Sequence, residues 1–227
     1  MAKKNSATFD SLNPVNGEVV GTYPIASEKD VYATVTLASD AAARWVGLGF
    51  KGRRRVLMAY SRLILSEIDS LATQVTLETG KPHSDAKLEI TLAAHHVAWA
   101  ARNAEQVLRT SHRSPGALMA NMSATVERSP LGVVGVIGPW NYPVFTPMGS
   151  IAYALAAGNT VVFKPSEYTP GVGIALADLF EHVAGSSEYF QVVTGFGETG
   201  AALCTSGVKK LAFTGSTATA KKVAALC

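Results

Sequence analysis

Hydrophobic positions change their period once along this chain, near residue 131. Before that point long helical stripes dominate, after a short extended opening. Residues 8 to 26 read as extended, and Asn16-Gly17 between Asn13-Pro14-Val15 and Val19–Tyr23 is a hairpin signal. Three helical patterns follow. Ser27-Glu28-Lys29-Asp30 has the form of an N-cap with an acidic first turn, leading into a helix over Val31 to Val46. Val56, Tyr60, Leu63, Ile64, Ile68, Leu71, Val75 and Leu77 form one apolar stripe that Gly80-Lys81-Pro82 stops. Ser84 opens a run rich in Ala and Leu to about Leu108, and Ser114-Pro115-Gly116 breaks the chain. Ser123 to Ser129 alternates like an edge strand or an arm.

From Leu131 onward, short β-branched runs alternate with helical segments. Strands are expected over Gly132–Gly138, Asn159–Lys164, Phe190–Thr194 and Lys210–Thr214. Helices are expected over Pro147–Ala157, Gly171–Val183, Thr199–Thr205 and Thr217–Leu226. Thr169-Pro170 suits the start of one of them, with Thr as N-cap and Pro at the first helical position. Alternation of this kind implies an α/β fold: a parallel sheet with helices on both faces, preceded by a hairpin and long helices.

Composition narrows the function classes. The 227 residues are 48% hydrophobic and 16% charged, with a formal net charge of +3, which describes an ordinary globular chain rather than a disordered one. That charge is too slight to imply nucleic acid, and Lys51-Gly52-Arg53-Arg54-Arg55 reads as a solvated helix entry. No apolar run approaches a membrane span, and Met1–Ser6 has no apolar stretch of a signal peptide after its lysines. Two thiols, Cys204 and Cys227, point to a reducing compartment without a disulfide framework, hence a cytoplasmic location. His95 and His96 are adjacent on a helix and point about 100° apart, so they do not share a metal.

Three turns carry the candidate chemistry, each at the end of an apolar run where open α/β sheets hold ligands. The first is Gly138-Pro139-Trp140-Asn141-Tyr142-Pro143, whose two prolines brace a turn that aims one amide; its NH₂ can donate to a developing oxyanion. In the second, Phe163-Lys164-Pro165-Ser166-Glu167, Lys164 can donate to ribose hydroxyls and Glu167 can accept from them. A carboxylate there also repels a 2′-phosphate, favouring NAD over NADP. The third, Phe213-Thr214-Gly215-Ser216-Thr217, offers free backbone N–H groups and the Ser216 hydroxyl to a pyrophosphate at a helix N-terminus. Gly195-Phe196-Gly197-Glu198-Thr199-Gly200 matches GxGxxG, but the sheet has already begun two strands upstream of the strand it follows, whereas the dinucleotide fingerprint opens the first βα turn. A short-chain dehydrogenase also needs Tyr-x-x-x-Lys, and none of the seven tyrosines has it.

Together these motifs resemble the aldehyde dehydrogenase superfamily. Asn13-Pro14 with Asn16-Gly17, Glu78-Thr79-Gly80-Lys81-Pro82 and Glu127–Gly132 follow the family's order, so the resemblance spans essentially the whole chain. It implies a Rossmann-like sheet of the aldehyde dehydrogenase type, with hairpin and helices over 1–113, an oligomerisation arm over about 114–131 and dinucleotide-binding units over 132–227. It implies oxidation of an aldehyde to a carboxylate through a cysteine thioester, with Asn141 as oxyanion donor. Gly138, Pro139, Trp140, Asn141, Lys164, Ser166, Glu167, Gly197, Gly215 and Ser216 would border NAD, Gly197 as a wall of the adenine cleft. One position departs from the pattern: the family's glycine five residues after Gly215 is Ala220 here. The resemblance puts the nucleophilic cysteine and the general-base glutamate after the Gly-Ser-Thr helix, in a catalytic domain that this sequence lacks. The chain alone is then expected to be inactive, sticky and marginally stable, and the complete enzyme a homo-oligomer. Two other readings are a non-catalytic NAD-binding module and a structural half that complements a separate chain.

Overall fold

The computed structural model describes residues 7–227; the opening stretch 1–6, read above for a signal peptide, lies outside the described residues. Strands β1 (Thr8–Leu12) and β2 (Val19–Pro24) pair antiparallel. Their connection is longer than the two residues of Asn16-Gly17. It closes where Asn13 N–H donates to Glu18 O at 2.8 Å, with Gly17 in the left-handed region at φ 75°.

Helix α1 (Glu28–Gly47) starts at Ser27 as expected: Ser27 Oγ accepts from Asp30 N–H at 3.3 Å, and the Asp30 carboxylate accepts from Ser27 N–H at 2.9 Å. The long second stripe divides into α2 (Gly49–Ser66) and α3 (Ile68–Thr79) at Glu67, so the apolar phase resets there. Leu57, Tyr60 and Ile64 face the core on one side of the break, and Leu71, Ala72 and Val75 on the other; Leu77 is exposed. Arg53 is not a solvated helix entry. It is 4% exposed and donates from Nε to Ala156 O (3.2 Å) and from Nη1 to Val46 O (3.0 Å), which is how a buried guanidinium is tolerated. Helix α4 (His83–Leu108) crosses α2, α3 and the next helix, and His96 on it meets the Tyr153 hydroxyl at 3.1 Å. A small antiparallel ribbon, β3 (Ser111–Arg113) with β4 (Ala124–Val126), begins before the expected arm over about 114–131 and ends within it; the first of these strands has no pattern in the sequence to mark it.

The second half runs β5 (Val133–Ile137), α5 (Phe145–Ala156), β6 (Thr160–Lys164), α6 (Pro170–Ala184), β7 (Phe190–Val192), α7 (Gly197–Thr205), β8 (Lys210–Phe213) and α8 (Thr217–Leu226). The four strands are parallel in the order β7-β6-β5-β8. Every residue of β5 and β6 is buried, as a two-faced strand requires. One face presents Val134, Val136, Val161 and Phe163 to a core shared with α2 to α6. The other presents Val133, Ile137 and Val162 to α1 and α7. Trp45 and Tyr60 cross the first core with their polar tips satisfied, on Leu155 O and Leu176 O, each at 2.9 Å.

The start of α6 differs from the reading above. Thr169 is the N-cap and Pro170 the first helical residue, but the Thr169 hydroxyl makes no capping bond and has no hydrogen-bond partner. Glu78, 3% exposed on α3, caps the helix instead: Oε1 accepts from Gly171 N–H at 2.9 Å and Oε2 from Val172 N–H at 3.0 Å. Among the described residues, no helix is long and apolar enough to cross a membrane and no group of three His, Cys, Asp or Glu side chains converges on a metal position.

Candidate functional site

The chain builds its sheet outward from β5 through β6 to β7, then returns to add β8 on the other side of β5. The connections therefore reverse beside β5, and a crevice opens beyond the carboxyl ends of the strands at such a reversal. A cleft of about 820 Å³ lies there. Gly138, Pro139, Trp140 and Asn141 from the turn after β5 border it, as do Lys164, Ser166 and Glu167 from the turn after β6. Gly197 at the start of α7, and Gly215 and Ser216 before α8, complete the set, so all ten sequence-derived positions meet on one cleft.

Lys164 ends a strand with no other charge and is 5% exposed. Burial pushes its pKa below 10.5, and the Glu167 carboxylate, 3.7 Å away, pulls it partly back. A desolvated ammonium with one distant counter-charge has donor capacity left for a ligand. Glu167 also accepts from Ser166 Oγ at 3.3 Å. On the β8 side, Ser216 caps α8 by accepting from Thr219 N–H at 3.2 Å, and lies 2.9 Å from Thr219 Oγ1. The hydroxyl is thus a helix cap as well as part of the cleft wall. The first turn of α8 keeps N–H groups without intrahelical acceptors, at the positive end of the helix. Ala220 enters the ordinary helical ladder, donating to Ser216 O at 2.9 Å.

The turn before α7 is shaped by close approach. Gly195 has φ 144°, and a Cβ there would stand 2.2 Å from Thr199 Oγ1. That hydroxyl donates to Ala26 O at 3.0 Å, and Thr194 Oγ1 donates to Pro24 O at 2.6 Å, so the GxGxxG segment is tied to the end of the hairpin. Of the three glycines only Gly195 is required by close packing, since a Cβ on Gly197 would meet open space, and Gly197 with Gly200 border the cleft.

Asn141 is exposed, and its Oδ1 accepts from Tyr142 N–H at 3.1 Å. This fixes which end of the amide is which: the oxygen is held by the Tyr142 N–H and Nδ2 is left to donate elsewhere. Three groups at the site have no role in the motif reading. Lys81 donates to Asn141 O at 2.8 Å, and Glu89 pairs with Lys81. Tyr168 and Phe196 border the cleft as exposed aromatics, and Lys222 adds a second ammonium on α8. Helical phase on α8 could have found Lys222, one turn beyond Thr219 on the cleft wall; Lys81 lies in the Glu78–Pro82 motif without a role assigned there, and Glu89 carries no signal. Neither cysteine borders the cleft. Cys204 is buried on α7, and loss of hydration pushes its thiol up to about 11.

Comparison with known proteins gives the family. The model of the aldehyde dehydrogenase family matches residues 1–227. Succinate-semialdehyde dehydrogenase [NADP(+)] GabD of Escherichia coli (strain K12) is 35% identical over 225 residues, 98% of this chain and 46% of that protein. The crystal structure of an NAD-dependent aldehyde dehydrogenase from Sinorhizobium meliloti superposes with a TM-score of 0.91 at 36% identity, over 97% of this chain and 44% of the other. PnpE of Pseudomonas sp. WBC-3, in its complex with nicotinamide adenine dinucleotide, gives 0.91 at 33% identity, over 97% and 45%. The chain thus spans just under half the length of these relatives, and within that span both its sequence and its fold follow theirs: it belongs to the aldehyde dehydrogenase family.

Proposed function

We propose that this chain forms the nicotinamide-dinucleotide-binding part of an aldehyde dehydrogenase and supplies the oxyanion donor Asn141 to the reaction. The observation that carries the reading is the meeting of the three turns on one cleft at the reversal of strand order. The donor set fits a dinucleotide. A cleft of about 820 Å³ suits a cofactor of that size, Lys164 is a buried donor facing it, and the α8 N-terminus presents N–H groups to an anion.

Lys164 donates to ribose hydroxyls and Glu167 accepts from them. The first turn of α8 would hold the pyrophosphate, and Gly197 with Phe196 would border the adenine. When bound, the dinucleotide supplies the hydride acceptor for aldehyde oxidation. Asn141 directs Nδ2–H at the carbonyl oxygen as a thiolate adds to its carbon, stabilising the oxyanion; one such donor is worth about 3–4 kcal/mol. The thiolate is not furnished here: Cys204 is held neutral by burial, and Cys227 stands outside the cleft. The chain by itself therefore binds the cofactor and turns nothing over. NAD is favoured over NADP because Glu167 borders the same stretch of cleft as Lys164.

Calorimetric titration of the 227-residue chain with NAD and with NADP, beside an aldehyde-dependent NADH assay, tests this reading. Saturable binding of NAD, tighter than NADP, without turnover is the expected result. Absence of binding by either dinucleotide sinks the cofactor assignment, and turnover by the chain alone overturns the assignment of the thiols.

A further inference from the structure

Asn141 stands at the end of a hydrogen-bond chain that begins on another element. Lys81, in the turn between α3 and α4, donates to Asn141 O at 2.8 Å and pairs with the Glu89 carboxylate. The peptide group bearing that carbonyl also bears the Tyr142 N–H, which donates to Asn141 Oδ1 at 3.1 Å. The ammonium is thus joined through one peptide to the side-chain amide that donates to the substrate oxygen. The ion pair is well sheltered, with the Lys81 side chain 14% exposed and that of Glu89 1%. Glu89 Oε1 accepts from Val144 N–H (2.8 Å) and Phe145 N–H (3.1 Å), pinning the far side of the same turn. The Tyr142 ring covers the ammonium, 4.0 Å from Nζ to the ring centroid.

The geometry points to Lys81 as a positioning residue that polarises the Asn141 amide through the Asn141–Tyr142 peptide; this inference rests on the reading of Asn141 as the oxyanion donor. A positive charge on the peptide oxygen draws electron density from its nitrogen, so the Tyr142 N–H becomes a stronger donor. Its bond to Oδ1 in turn draws density from the side-chain amide, and the Nδ2–H groups become stronger donors to an oxyanion. Each bond in such a chain strengthens the next by roughly 10–30%. The arrangement also locks the amide, because a flipped Asn141 would set its NH₂ against the Tyr142 N–H. Glu89 holds Lys81 in place and sets how much of its charge the peptide feels.

A purely structural Lys81 would need only to neutralise Glu89, and the two roles separate in the spectrum of the amides. The ¹⁵N-labelled 227-residue chain is compared with Lys81→Met, Lys81→Arg and Glu89→Gln. In Lys81→Met the Asn141 Nδ2 and Tyr142 amide protons move upfield, and Lys81→Arg, which keeps the charge, returns them toward wild type. Glu89→Gln removes the competing carboxylate and moves them downfield, opposite to Lys81→Met. Unmoved Asn141 resonances in folded Lys81→Met overturn the proposal, as do shifts of the same sign in Lys81→Met and Glu89→Gln. Should Lys81→Met not fold, the Glu89→Gln direction decides alone, since a structural role gives loosening and an upfield shift there. Titration of the same samples with NAD keeps the readings apart. Failure of wild type to bind NAD counts against the cofactor assignment, whereas the amide shifts judge the relay.

Discussion

Replacing Glu78 with alanine removes the acceptors that hold the start of α6, and with them the turn that presents Lys164, Ser166 and Glu167. The carboxylate takes two N–H groups, from Gly171 and Val172, and Val172 is fully buried. An orphaned buried donor costs about 1–3 kcal/mol, so the pair lost in Glu78→Ala costs roughly 3 kcal/mol after the relief of burying one carboxylate less. For a chain of this length that is a fall of about 6–12 °C in Tm. The pH dependence checks the cause. Burial raises the Glu78 pKa above 4.5, while the N–H bonds from Val172 and Gly171 and the Gln74 side chain lower it without cancelling the rise. The fold therefore favours the protonated acid. The Glu78 contribution is full below the unfolded carboxyl range and is lost as pH rises through the folded value. Glu78→Gln lacks this titration, so the stability gap between wild type and Glu78→Gln narrows as pH climbs above 4.5. Thermal melts of wild type, Glu78→Ala and Glu78→Gln from pH 4 to 8 measure both effects. A Glu78→Ala loss under about 0.5 kcal/mol, within the range of ordinary surface changes, refutes the capping argument. A gap that does not change with pH refutes the burial argument.

Three further outcomes follow from the cleft. Lys164→Met loses charged hydrogen bonds worth about 1.5–3 kcal/mol and weakens NAD binding roughly tenfold to a hundredfold by calorimetry; in wild type, because burial lowers the Lys164 pKa, affinity falls on the alkaline side before 10.5 is reached. Glu167→Gln removes the charge that opposes a 2′-phosphate, so the ratio of NAD to NADP dissociation constants shifts toward NADP; an unchanged ratio removes Glu167 from cofactor choice. Gly195→Ala forces Cβ against Thr199 Oγ1 at a φ of 144°, breaks the bond to Ala26 O and costs about 2–4 kcal/mol in denaturant unfolding, with loosening confined to the hairpin and α7 by hydrogen exchange.

Residue order alone encoded the short-range features of the fold. Ser27 with Asp30 encoded a capping box within four residues, and the β-branched runs encoded β5 and β6 because a strand buried on both faces carries its requirement in every residue. The three turns were legible because each combines a strand end with prolines, glycines or hydroxyls at fixed offsets, and the sheet's strand order then brought them together. Features that join distant residues came from packing. Arg53 looked like one of a solvated basic run until carbonyls of Ala156 and Val46 took its charge inside. Thr169 had the composition of a cap, yet Glu78 from 91 positions earlier in the chain does the capping. Lys81 stood in the Glu78–Pro82 motif without a role and Glu89 in no motif, because their partner is the backbone of the Asn141–Phe145 turn and a backbone partner leaves no trace in residue type. Period and capping read out short-range sterics, whereas a buried charge is stabilised by whichever dipoles the packed helices bring to it.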